Sequence, residues 1–167
     1  MEDNSQVSLH FTFSAGCKLT HYICNPHLLL AAKNFNPDVI IAIIGGNDIV
    51  NSISTEDLHK NCRDFYTFLR SEFPNSKIVG SQVELRFYNQ NNRFNCPPHF
   101  EFDLRRKSFN TFLKRLKVKD CILQVQGHER LDDRTLYRDE VHLNSFGLNK
   151  YFGIIANTIQ FCYNKYF

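Results

Sequence analysis

The sequence predicts an α/β protein of three layers, α/β/α, with helices on both faces of one parallel sheet. Short apolar runs alternate with longer stretches of helical periodicity, DVIIAII (38–44) is an unbroken β-branched run, and 167 residues contain neither an internal repeat nor a linker. Strands that return through helices pair in parallel, and a strand covered on both faces reads as continuous apolar sequence.

The first strand is expected at VSLHFTF (7–13), which alternates and stops at Ser14, Ala15 and Gly16. CNPHLLLAAKNF (24–35) is helical and must end before Pro37. DVIIAII is the second strand, closed by Gly45, Gly46, Asn47 and Asp48. In STEDLHKNCRDFYTFLRSEF (54–73), Ser54 is the N-cap, Glu56 and Asp57 suit the first turn, and Leu58, Cys62, Phe65, Phe68 and Leu69 form the apolar stripe. KIVGSQVEL (77–85) and DCILQVQ (120–126) supply two more strands. Between them, EFDLRRKSFNTFLKRLK (101–117) turns Phe102, Phe109, Phe112, Leu113 and Leu116 inward, with Arg105, Arg106, Lys107, Lys114 and Lys117 mostly outside. NSFGLNKYFGIIANTIQFCYN (144–164) is the last helix, and RFYNQNNRFNCPPHF (86–100) is a long irregular stretch, a binding loop or a disordered one.

Composition narrows the classes. With 43% hydrophobic and 22% charged residues the chain is an ordinary globular domain, its 16 Phe and 7 Tyr serving as core filling. A net charge of +3 permits a nucleic-acid partner without announcing one. Six scattered cysteines with no C-x-x-C pair point to reduced thiols and an intracellular, cytoplasmic setting. The N-terminus MEDNSQVSL lacks the basic-then-apolar pattern of a signal peptide, and no apolar run approaches the roughly 18 residues of a membrane span.

In an open parallel sheet, function gathers beyond the carboxyl ends of the strands. Gly16 follows the first strand, and Gly45 to Asp48 follow the second. A turn alone would explain the second cluster, since Gly, Asn and Asp all suit tight reversals. The second half of a site is YRDEVHLNSFG (137–147), where Asp139 stands three residues before His142. A carboxylate so placed can bond one imidazole nitrogen and leave the other facing a nucleophile, although a plain ion pair or helix start gives the same spacing.

Together, Gly16, Gly45-x-Asn47-Asp48 and Asp139-x-x-His142 before a C-terminal helix resemble the SGNH (GDSL-type) hydrolase superfamily, over nearly the whole chain. DVIIAIIGGNDI and YRDEVHLNSFG are also similar to the esterase-like domains of some eukaryotic retrotransposons. The resemblance implies an acyl or acetyl esterase with a small-molecule, lipid or acylated-sugar ester as substrate and no cofactor. It implies Gly16 and Asn47 as oxyanion donors, His142 as general base and Asp139 as its orienting acid; Asp48 reads as a cap.

The Gly-Asp-Ser block of that superfamily is missing. Ser14 lies only two residues before Gly16, where the superfamily has a further strand and helix between serine and glycine. The expectation is therefore a single domain, 1–167, whose flavodoxin-like fold lacks its first βα unit and which is inactive or weakly active for want of a nucleophile. A noncatalytic binding module of the same fold, contacting nucleic acid through Arg105, Arg106 and Lys114, is the alternative. Arg86, after a strand, is a weak candidate for substrate contact. Cys96-Pro-Pro-His99 has metal-ligand spacing, but no second pair accompanies it and no metal is expected.

Overall fold

The structure, a computed structural model, describes residues 8–11, 16–23, 25–50, 53–88, 97–116, 118, 121–122, 125 and 127–166. Ser14 and Cys96 lie outside the described residues, as do the ends of the first and last expected strands and most of the 86–100 stretch.

The sheet is parallel. Strands β1 (Val39–Ala42), β2 (Lys77–Gly80) and β3 (Cys121–Ile122) stand in the order β1-β2-β3, with Val39 opposite Lys77 and Ile78 opposite Cys121. Helices α1 (Leu19–Ile23), α2 (Pro26–Phe35), α3 (Gly46–Val50), α4 (Thr55–Glu72), α5 (His99–Arg115) and α6 (Ser145–Tyr166) are joined by single 3-10 turns at His128–Leu131 and Arg134–Leu136.

Neighbouring strand residues face opposite ways, and β2 shows both faces covered. Ile78 belongs to a core with Leu58, Cys62 and Phe65 of α4 and Phe102, Phe109 and Leu113 of α5. Val79 belongs to a second core with Leu131, Leu136, Tyr137, and Ile154 and Cys162 of α6. One sheet separating two helical layers is the expected three-layer arrangement. Among the described residues no helix is long and apolar enough to cross a membrane.

Local chemistry sets the helix boundaries. The Asn25 side chain accepts from His27 and Leu28 N–H, Pro26 occupies the first turn, and Asn36, at φ 51°, closes α2 in the left-handed conformation. Ser54 caps α4 by accepting from Asp57 N–H at 3.0 Å, as its spacing predicts.

Two expectations are corrected. Residues 8–11 form no strand; Leu9 and Phe11 are exposed, and the His10 ring stacks on Phe35. Alternation marks a strand only where a neighbour pairs with it, and β1 pairs only with β2 among the described residues. Arg106 does not sit outside α5: it is 8% exposed, on the stripe Phe102, Arg106, Phe109, Asn110 and Leu113.

Candidate active site

The β1 run ends at Gly45, whose φ of 111° a side chain would rarely adopt. Its carbonyl accepts from the N–H groups of Asp48 and Ile49, both at 3.1 Å, so the chain passes from strand directly into α3. This reversal brings two adjacent side chains back onto the segment after Gly16. The Asn47 amide donates to the Cys17 carbonyl at 3.2 Å, and the Asp48 carboxylate accepts from Leu19 N–H at 3.2 Å with each oxygen. Gly16 itself turns at φ 69°.

Asp48 is therefore a cap, as expected, but for α1 rather than for its own turn. It is 2% exposed, and burial pushes its carboxyl up to about 6 against the opposing pull of the Leu19 N–H. A carboxyl that binds its proton more tightly when folded contributes stability that is complete below about 3.8 and is lost as pH rises through about 6. Asp48→Asn keeps an acceptor for Leu19, so the stability difference between variant and wild type should change by at most about 3 kcal/mol across that window. Urea titrations of both proteins at pH 4 and pH 7 measure it.

The second element is the loop before α6. An antiparallel bridge between Tyr137 and Leu143 and a bond from Arg138 N–H to the His142 carbonyl, 2.8 Å, hold it as a tight turn. Within it, Asp139 Oδ1 accepts from the backbone N–H groups of Val141 and His142, both at 2.8 Å. The His142 ring meets the same carboxylate through Nδ1, at 2.9 Å to Oδ2 and 3.1 Å to Oδ1. The His142 N–H foremost, then those of Val141 and the ring, holds the Asp139 carboxyl well below the usual range, so it is ionised at neutral pH. An ionised carboxylate only accepts, which places the ring proton on Nδ1 and leaves Nε2 as the basic nitrogen. The His142 side chain is 67% exposed. Among the described residues, no hydroxyl or thiol bonds to its ring.

Arg86 joins the two elements. Its guanidinium donates to Asn47 Oδ1 at 3.3 Å and to Tyr88 Oη at 2.8 Å, lies 5.7 Å from the Phe102 ring centre, and packs against Gly46. The next residue, Phe87, donates its N–H to the Glu140 carbonyl at 2.7 Å, inside the Asp139–His142 turn. Asn47, Arg86 and the histidine turn are thus one connected assembly. Arg86, read from sequence only as a weak contact, is its hinge; no spacing pattern could have shown this, because the bond to Asn47 spans 39 residues.

The basic residues of α5 are placed differently from expectation. Arg106 is bonded to Asp103 and Asp132, Arg105 donates to the Ile53 carbonyl at 2.6 Å, and Lys107 pairs with Asp103. Lys114 is exposed. Arg106, itself nearly buried, cannot meet a phosphate without abandoning its contacts to Asp103 and Asp132, so the three-residue nucleic-acid face does not form.

Neither a protein-family model nor a curated protein matches the sequence. Solved structures do. The chain is similar to a carbohydrate esterase family 3 protein from Talaromyces cellulolyticus at 14% identity and TM-score 0.65, covering 89% of this chain and 70% of that one. A peptidoglycan O-acetylesterase matches at 14% identity and TM-score 0.61, over 87% of this chain and 43% of its own length. A GDSL-like lipase from Parabacteroides merdae matches at 19% identity and TM-score 0.57, over 83% and 66%. The chain shares its fold, a parallel sheet between two helical layers, with these esterase and lipase structures.

Proposed function

We propose that the domain is an SGNH-type ester hydrolase, acting on short acyl esters such as O-acetylated carbohydrate. The observation that carries this reading is the Asp139–His142 pair, in which an ionised carboxylate grips Nδ1 and turns Nε2 outward. In this role His142 Nε2 takes the proton of the attacking group, Asp139 holds the imidazole and stabilises its cation, and the Gly16 N–H and the Asn47 amide receive the oxyanion. Arg86 keeps the amide nitrogen facing the Gly16 turn by binding its oxygen. Two of the similar structures are by name a carbohydrate esterase and a peptidoglycan O-acetylesterase, which supports the substrate class.

With no serine held at His142 among the described residues, water is the nucleophile this dyad can activate. The expected result with p-nitrophenyl acetate is accordingly a slow, measurable enhancement over buffer. It should vanish in His142→Ala and drop about a hundredfold, towards the buffer rate, in Asn47→Ala. An enhancement equal in wild type and His142→Ala would overturn the assignment.

A further inference from the structure

Arg86 stands in the wall of the candidate site as a cation without an anion. The residue is half-buried, yet no carboxylate pairs with it among the described residues. Arg106, the other arginine set among aromatic rings, is met by both Asp103 and Asp132. The stretches 12–15, 51–52 and 89–96, next in sequence to the site and outside the described residues, contain neither Asp nor Glu. A charge drawn partly out of water is costly until a partner of opposite sign meets it. A ligand can be that partner.

The contacts of the guanidinium define what the ligand meets. Nη1 uses both of its hydrogens, on Asn47 Oδ1 at 3.3 Å and on Tyr88 Oη at 2.8 Å. Tyr88, 7% exposed, meets the buried Phe102 ring edge-on, and that same ring lies 5.7 Å from the guanidinium carbon, so the fork is held from two directions. Gly46 makes the position possible, because a Cβ there would collide with Nη2. Unspent are the N–H groups of Nε and Nη2, the straight edge that receives two carboxylate oxygens in parallel. Gly46, Asn47 and Arg86 line one cavity. The Asn47 amide is planar and takes Arg86 on its oxygen side, so the oxyanion received on its nitrogen side is out of the guanidinium's reach. What the fork can hold is a second group of the same substrate. An acetyl group is too small to carry one, which places it on the alcohol portion.

Resting on the esterase reading and extending it, we propose that the site takes an acetyl ester of an acidic sugar, whose carboxylate is bound side-on by Nε and Nη2 of Arg86. Binding is read apart from catalysis, by NMR titration of the full chain with D-glucuronate and with D-glucose. The Arg86 Nε–H resonance should shift saturably with glucuronate and not with glucose. Arg86→Met should weaken glucuronate binding by about tenfold or more. Arg86→Lys should restore it only in part, since an ammonium lacks the fork. Should Arg86→Met fail to fold, Gly46→Ala keeps the charge but displaces Nη2, and it too should bind more weakly. In hydrolysis, 4-acetoxybenzoate is compared with its methyl ester. Loosening of Asn47 in Arg86→Met slows both esters alike, so the ratio of their kcat/KM isolates the charge contact and should shift about tenfold toward the neutral ester. His142→Ala should lose both hydrolyses and keep glucuronate binding. Hydrolysis independent of His142 would sink the esterase reading and leave the carboxylate site standing. Equal response to glucose and glucuronate, or glucuronate binding and an ester ratio unchanged by the Arg86 and Gly46 variants, would overturn the site itself.

Discussion

Gly45→Ala is expected to lower stability by about 3 kcal/mol, a fall of about 6–12 °C in Tm for a domain of this size. Two costs combine. At φ 111° any Cβ is strained, and a Cβ built there would lie 2.9 Å from two ring carbons of Phe109 and 3.3 Å from a methyl of Val83. Phe109 is 1% exposed and cannot move aside without opening the core. The damage should reach the site, because the Gly45 carbonyl starts the helix that aims Asn47 and Asp48 at the Gly16 segment. Gly153→Ala is the control. Gly153 lies within α6, and an added Cβ meets nothing within 4 Å, so alanine there should stabilise by about 0.5–1 kcal/mol. Thermal melts of both variants decide the matter; equal effects would show that Gly45 is only a turn residue.

Arg106→Ala should cost about 3 kcal/mol for a different reason. The guanidinium reaches Asp103 at 2.8 and 2.9 Å, Asp132 at 3.3 and 3.4 Å, and the Val83 carbonyl at 3.5 Å, all while nearly buried. Burial works against ionised Asp103, yet the bonds from Lys107 and Arg106 still hold its carboxyl below the usual range. Removing the arginine would leave half-buried Asp103 without two of its bonds, empty the space the guanidinium fills, and free Asp132, at the surface, from its contact with α5. The loss should also travel, since Asp132 follows the first 3-10 turn on the path to Asp139 and His142. Arg106→Lys should recover only part of the stability, because one ammonium cannot span two carboxylates and a carbonyl as the planar fork does. Urea unfolding with both variants measures the difference; a lysine variant as stable as wild type would reduce Arg106 to a generic positive charge.

Much of the architecture is legible in the chain itself. The apolar run within 38–44 becomes a parallel strand because a strand covered on both faces reads as continuous apolar sequence, and the short apolar core of KIVG (77–80) becomes its partner. Ser54, Asn25 and Pro26 mark their helix starts through bonds that close within three residues. The Asp139–His142 contact is equally local, spanning three positions, which is why D-x-x-H could suggest it.

Other features escaped for a physical reason. Arg106 lies at helical spacing between Phe102 and Phe109, a sign that it faces the core, yet a charge is buried only if partners such as Asp132 arrive from elsewhere. The stretch at 8–11 alternates as a strand does, but pairing is a property of two segments.

By itself, then, the sequence determined the sheet type, the principal helices and the Asp139–His142 contact, because each depends on residues a few positions apart. Tertiary structure alone decided that Asn47 and Asp48 clamp the Gly16 segment and that Arg86 ties Asn47 to the histidine turn. Those depend on bonds across roughly 30 to 40 residues, which no local pattern records.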